Sequence, residues 1–170
     1  MKRDGSHLWA PSGLAFDGHG ALLVVDSGNH RIVRIGRTEG LEDLPVNLLG
    51  TGGGPSPRLE IEGRDPKETE LKAPASLVVT ADDRIFLADA GNHRILQVEP
   101  GGRSTVVAGG PEEGFSGDGG PAVKAQLDLP GALALDRSGN LFIADERNHR
   151  IRKITGIAPP PLVAPTRNRG

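Results

Sequence analysis

Cysteine and tyrosine are absent from this chain, and tryptophan occurs once, as Trp9. Without cysteine there is no disulfide, no thiolate nucleophile and no cysteine-ligated metal. Trp9 and four phenylalanines leave little for stacking bases, and a formal charge of -2 with an isoelectric point near 6.2 gives no electrostatic reason to gather phosphates. Nucleic acid therefore ranks last among possible partners. No hydrophobic run approaches the ~20 residues of a membrane helix, and no apolar segment follows the charged start Met1-Lys2-Arg3-Asp4 to make a signal peptide. The expectation is a soluble chain without a membrane partner, its compartment left open.

What the chain has in abundance is glycine, 25 residues, and proline, 14, scattered between short apolar, β-branched-rich runs. Glycine supplies positive φ and proline pre-sets its own, the chemistry of many tight turns joining many short strands, so an all-β fold is expected. The tract Asp-x-Gly-Asn-His-Arg-Ile occurs at residues 26–32 and 89–95, and again at 145–151 with Arg147 in place of glycine. Prolines 11, 74 and 130 keep the same spacing as asparagines 29, 92 and 148, so both landmarks hold one register. Recurrence in register marks a stacked repeat.

Each unit reads as an apolar run, a polar turn, a second apolar run, the Asn-His-Arg corner and a third run. The middle unit adds a fourth at Thr105-Val106-Val107-Ala108, giving four antiparallel strands per unit. The second runs, residues 22–25, 85–88 and 141–144, are continuously apolar, which implies cover on both faces, as when small sheets are sandwiched between neighbours. Propeller blades stack that way. An ordinary β-sandwich is the runner-up, disfavoured because sandwiches rarely repeat one tract at fixed positions.

The segments PSGLAFDGHGALLVVDSGNHRIVRI, PASLVVTADDRIFLADAGNHRILQV and PGALALDRSGNLFIADERNHRIRKI resemble NHL repeats, and the glycine loop AGGPEEGFSGDGGPAVKAQLDLP is similar to links between repeats in bacterial members. The resemblance implies all-β propeller blades, about three of them four-stranded, in a family whose rings usually have six. The divisions expected are residues 1–10 as the end of a missing or incomplete preceding blade, 11–73 as blade 1 with a loop insertion near 55–72, and 74–129 as blade 2. Residues 130–158 follow as blade 3, lacking its outer strand, and 159–170 as a Pro-rich disordered tail. Part of a ring exposes apolar sheet faces. Self-association, a partner supplying further blades, or missing flanking sequence would cover them.

His30, His93 and His149 invite a metal reading, because imidazole binds zinc and related propellers include metal-dependent lyases. These histidines follow the second strand, away from the axis, and a residue present in every unit serves every unit. Asp26, His30, Asp89, His93, Asp145 and His149 are therefore read as the structural repeat motif, with no metal and no cofactor. Asp17, Asp83 and Asp136 belong to hairpin turns. The loop at residues 114–120 lacks the Lys-Ser/Thr of a phosphate loop and the spaced oxygens of a calcium loop, and Phe115 is expected to plug the neighbouring blade. Trp9 is read first as core and second as an interface anchor.

No nucleophile elbow or catalytic triad is present. Corner turns and inter-blade links are expected on one face, collecting Asn29, Arg31, Asn92, Arg94, Asn148 and Arg150 as a candidate rim. The leading functional expectation is a non-enzymatic scaffold that recognises a protein, peptide or glycan. The alternative is a metal-dependent lyase or hydrolase active only in a closed ring.

Overall fold

A computed structural model describes residues 7–36, 46–50, 69–100 and 102–159. Most of the expected loop insertion and all but the first residue of the expected tail lie outside them. The described chain is all β apart from 3-10 turns of three residues each. Its strands are β1 (Pro11–Phe16), β2 (Leu22–Asp26), β3 (Arg31–Ile35), β4 (Val46–Leu49), β5 (Ser76–Val79), β6 (Ile85–Asp89), β7 (Arg94–Val98), β8 (Ser104–Gly109), β9 (Pro130–Leu135), β10 (Leu141–Asp145) and β11 (Arg150–Ile154). No described helix is long and apolar enough to cross a membrane.

Three antiparallel meanders result. The first sheet has the order β1-β2-β3-β4, the second β5-β6-β7-β8, and the third β9-β10-β11 among the described residues. Turn chemistry sets each hairpin. Asp17 Oδ1 accepts the N–H groups of His19 and Ala21, and Asp136 Oδ1 those of Ser138 and Asn140, folding the chain back between first and second strands. In register, Val24 faces Val33, Leu87 faces Leu96 and Ile143 faces Arg152.

The sheets stack face to face and bury two apolar layers. Leu23, Val25, Ile32 and Leu49 of the first sheet meet Leu77, Ile85, Leu87, Leu96 and Val98 of the second. Phe86, Ala88, Ile95 and Ala108 of the second meet Leu133, Leu141 and Ile143 of the third. Alternation along β6 explains its unbroken apolar run: Ile85 and Leu87 point to one neighbour, Phe86 and Ala88 to the other. Between sheets runs a link whose leucine fills the gap, Leu71 before the second sheet and Leu127 before the third, each 1% exposed. Burying such a side chain stabilises by about 1.5–3 kcal/mol.

The sequence signals do not single out β4, and two expected environments differ. Trp9 is 47% exposed, because what the link places against the first corner is its backbone: Gly28 N–H donates to Trp9 O at 2.8 Å. Phe115 is 45% exposed, its ring lying under two guanidinium groups.

Candidate binding surface

Each corner is built around a fully buried aspartate at the end of a second strand. Asp26 Oδ1 accepts Trp9 N–H at 2.6 Å, and Oδ2 accepts Asn29 Nδ2 at 2.8 Å and Arg31 Nε at 2.7 Å. Asp89 repeats the pattern with Lys72 N–H at 2.8 Å, Asn92 Nδ2 at 2.8 Å and Arg94 Nε at 2.7 Å. The asparagines also reach the link: Asn29 to His7 O, Asn92 to Glu70 O and Asn148 to Gly114 O. Burial pushes the Asp89 carboxyl above its ordinary value, against the pull of Arg94 and the Lys72 and Asn92 donors. A carboxylate so enclosed holds a turn together and has no lone pair turned to solvent. At the tip Gly28 is required by close approach, since a Cβ there would lie 2.0 Å from Trp9 Cδ1.

The histidine after each corner takes the left-handed conformation, at φ 52, 53 and 54 for His30, His93 and His149. His30 Nδ1 accepts Ala73 N–H at 3.0 Å, and His93 Nδ1 accepts Leu129 N–H at 3.3 Å, each across to the link of the next sheet. The motif thereby ties one sheet to the next. Corner turns and links do share one face, as the pairs Gly28 N to Trp9 O, Gly91 N to Lys72 O and Arg147 N to Asp128 O require.

Of the six rim candidates, Arg31 and Arg94 are buried, at 9% and 2% exposure, with their guanidinium groups turned inward to Asp26 and Asp89. Asn29 is buried as well, and Asn92 and Asn148 are half-buried. Arg150 differs. It is exposed, its Nε donates to Asn148 O at 2.9 Å, and its guanidinium lies 3.7 Å from the Phe115 ring centroid.

A residue that the motif reading missed makes that release possible. Arg152 stands where the earlier units have Val33 and Leu96, and from there its Nη1 reaches Asp145 Oδ2 at 3.3 Å and Gln126 O at 3.0 Å. Its Nη2 donates to Ser116 O at 3.0 Å and pairs with Asp118 at 2.6 Å, anchoring the glycine loop. The signal was an arginine at the position where the earlier third runs carry valine and leucine.

Beside this corner His93, Glu113 and Asp128 offer ligand atoms within 4.8 Å of one another. The bond from Leu129 N–H occupies the Nδ1 lone pair, which places the neutral ring's proton on Nε2, toward Glu113 Oε2 at 3.8 Å. Neither nitrogen then has a lone pair for a metal. On the opposite face Gly18 N–H donates to Asp83 Oδ1 at 2.6 Å, joining hairpin turns of adjacent sheets. Next to it lies a cavity of about 280 Å³ bordered by Asp17, Arg34, Asp83 and Glu99 over Leu23 and Ile85.

Comparison with protein families matches the chain to the NHL repeat at residues 8–35 and 127–154. Protein SUPPRESSOR OF QUENCHING 1, chloroplastic, of Arabidopsis thaliana is 36% identical over 88 residues, covering 51% of this chain and 8% of that protein. NHL repeat-containing protein 2 of Gallus gallus is 26% identical over 156 residues, 84% of this chain and 20% of its own length. The chain thus spans a small part of the curated relatives it matches. Among solved structures, an auxiliary nutrient binding protein from Bacteroides ovatus superposes with a TM-score of 0.65 at 20% identity, over 84% of this chain and 36% of that one. With the corner repeated three times and the sheets stacked in sequence, the chain carries NHL repeats and folds into β-propeller blades.

Proposed function

We propose that this chain is a non-enzymatic propeller scaffold that recognises a protein, peptide or glycan on the face of its corner turns. Self-association, a partner's blades or flanking sequence of a longer chain completes the ring. The observation that carries this reading is the third corner, where Arg150 is freed from its aspartate and stacked on the half-exposed Phe115. Arginine and aromatic side chains dominate the binding energy of recognition surfaces, and a guanidinium already held over a ring loses less freedom on binding. The name of the Bacteroides ovatus neighbour, a nutrient binding protein, agrees with a binding role. For the lyase or hydrolase alternative the His93, Glu113 and Asp128 cluster is the nearest support, and the Leu129 hydrogen bond speaks against it.

The test is a glycan array and a peptide library screened with the full chain, followed by affinities of the Arg150→Ala and Phe115→Ala variants for any ligand found. Each truncation is expected to weaken binding about tenfold, the effect of removing a moderate hot-spot residue. Ligands whose affinity ignores both substitutions would move the site elsewhere. Hydrolysis of a library member, abolished by chelator, would replace the scaffold with the enzyme.

A further inference from the structure

We infer that the outward face of the third sheet docks on the outward face of the first sheet in a second copy of this chain, repeating the contact that joins the sheets within one copy. The inference rests on the scaffold reading above and names the surfaces that would complete its ring.

The internal contact has two parts, and each leaves one unmatched half at either end of the stack. The polar part is the histidine staple, in which Nδ1 of His30 or His93 accepts the N–H of Ala73 or Leu129. Those two donor residues share a positive φ, 43° and 48°. Ala10 has the same shape, φ 47°, and among the described residues its N–H has no acceptor. His149 has the acceptor's shape, and its exposed ring makes no hydrogen bond among the described residues. Donor and acceptor of a third staple thus sit at opposite ends of one chain.

The apolar part follows the same rule. Ile32 and Ile95, facing the next sheet, are 1% and 0% exposed, whereas their counterpart Ile151 is 66% exposed. Leu77 and Leu133, facing the preceding sheet, are 4% and 9% exposed, whereas Leu14 is 65% exposed. The link leucine Leu8 is also open, and Phe16 beside Leu14 with it, while Val24 and Val33 farther out on that face are covered. Contact therefore runs along the inner strand and the link. Ile32 packs in one layer with Leu77, and Ile95 with Leu133, so Ile151 and Leu14 are the pair that a second copy would bring together.

An interface of unlike halves extends into a fibre unless its rotation closes a ring. Two copies joined by two such contacts contain six sheets, within the four to eight blades of a propeller. The occupant is a second copy because both halves, staple and apolar layer, are present on this chain.

Light scattering of the full chain at micromolar concentration is expected to give twice the 17.8 kDa chain mass. Leu14→Lys and Ile151→Glu alter exposed positions, so each variant keeps its circular dichroism and sheds its partner. Mixed together they re-form a two-chain species, since one junction is wild type and the other pairs opposite charges. His149→Ala weakens association about five-fold per junction, the effect of one neutral hydrogen bond. A folded wild-type monomer, variants that remain paired, or variants that stay single when mixed overturns the inference. Those outcomes leave the rim untouched, because rim recognition is judged by ligand affinity and docking by mass.

Discussion

Arg94 and Arg150 hold the same position of the repeat and do different work. Arg94 is enclosed, its Nε on Asp89 and its Nη2 on Glu70 O at 2.9 Å, whereas Arg150 lies on the surface against Phe115. Removing one member of a buried ion pair strands the other and costs about 3–5 kcal/mol, while an exposed cation over a ring contributes about 0.5–1 kcal/mol. Urea unfolding should therefore separate Arg94→Ala from Arg150→Ala by several kcal/mol. Equal losses would mean that position in the motif decides the role, which the third corner denies. The sequence made the structural task of Asp26, Asp89 and the histidines legible, because only a task shared by all units explains residues shared by all units. It did not reveal which arginine was free. That depended on Arg152 entering an apolar slot and reaching Asp145, an exchange one position outside the repeated tract.

At the scale of elements, turns decide more than strands do. The β1–β2 hairpin is held by Asp17, whose Oδ2 also pairs with Arg34 Nε of β3 at 2.8 Å. Burial by itself would raise this carboxyl, but the Ala21 N–H, Arg34 and the His19 N–H together hold it below the ordinary aspartate value. The folded state then binds the proton less tightly than the unfolded chain does. The stabilisation is full above about pH 4, the unfolded aspartate value, and disappears as pH falls through the lower folded value. Asp17→Asn should lower the melting temperature at neutral pH and converge with wild type in acid. A gap between them that persists or widens in acid would contradict this sign.

Hairpin positions were legible because Asp-Gly and Ser-Gly-Asn turns state them directly, as at Asp17-Gly18 and Ser138-Gly139-Asn140. The strand β4 was not, since Val46-Asn47-Leu48-Leu49 carries neither the repeat tract nor a flanking hairpin signature. Trp9 and Phe115 were misplaced for one reason. Hydrophobicity argues for burial of a side chain, whereas at Trp9 the link is held by backbone hydrogen bonds, and at Phe115 the ring is covered by arginines.

For the whole molecule, stacking is one contact used repeatedly. Its layers were foreseeable from the unbroken apolar runs of the second strands, which need cover on both faces. Of its polar half only the structural task of the histidines was foreseeable, because a histidine acceptor facing a backbone N–H of the next unit leaves no spacing signal that names its partner. The central claim is that this staple, His30 to Ala73 and His93 to Leu129, fastens each sheet to the next. Amide hydrogen exchange resolved at Ala10, Ala73 and Leu129 tests it most directly. Ala73 and Leu129 should exchange as slowly as strand amides such as Leu87, with Ala10 equally slow in the paired wild type and fast in the single-chain Ile151→Glu variant. Exchange at Ala73 and Leu129 as fast as at an open loop amide would contradict the account.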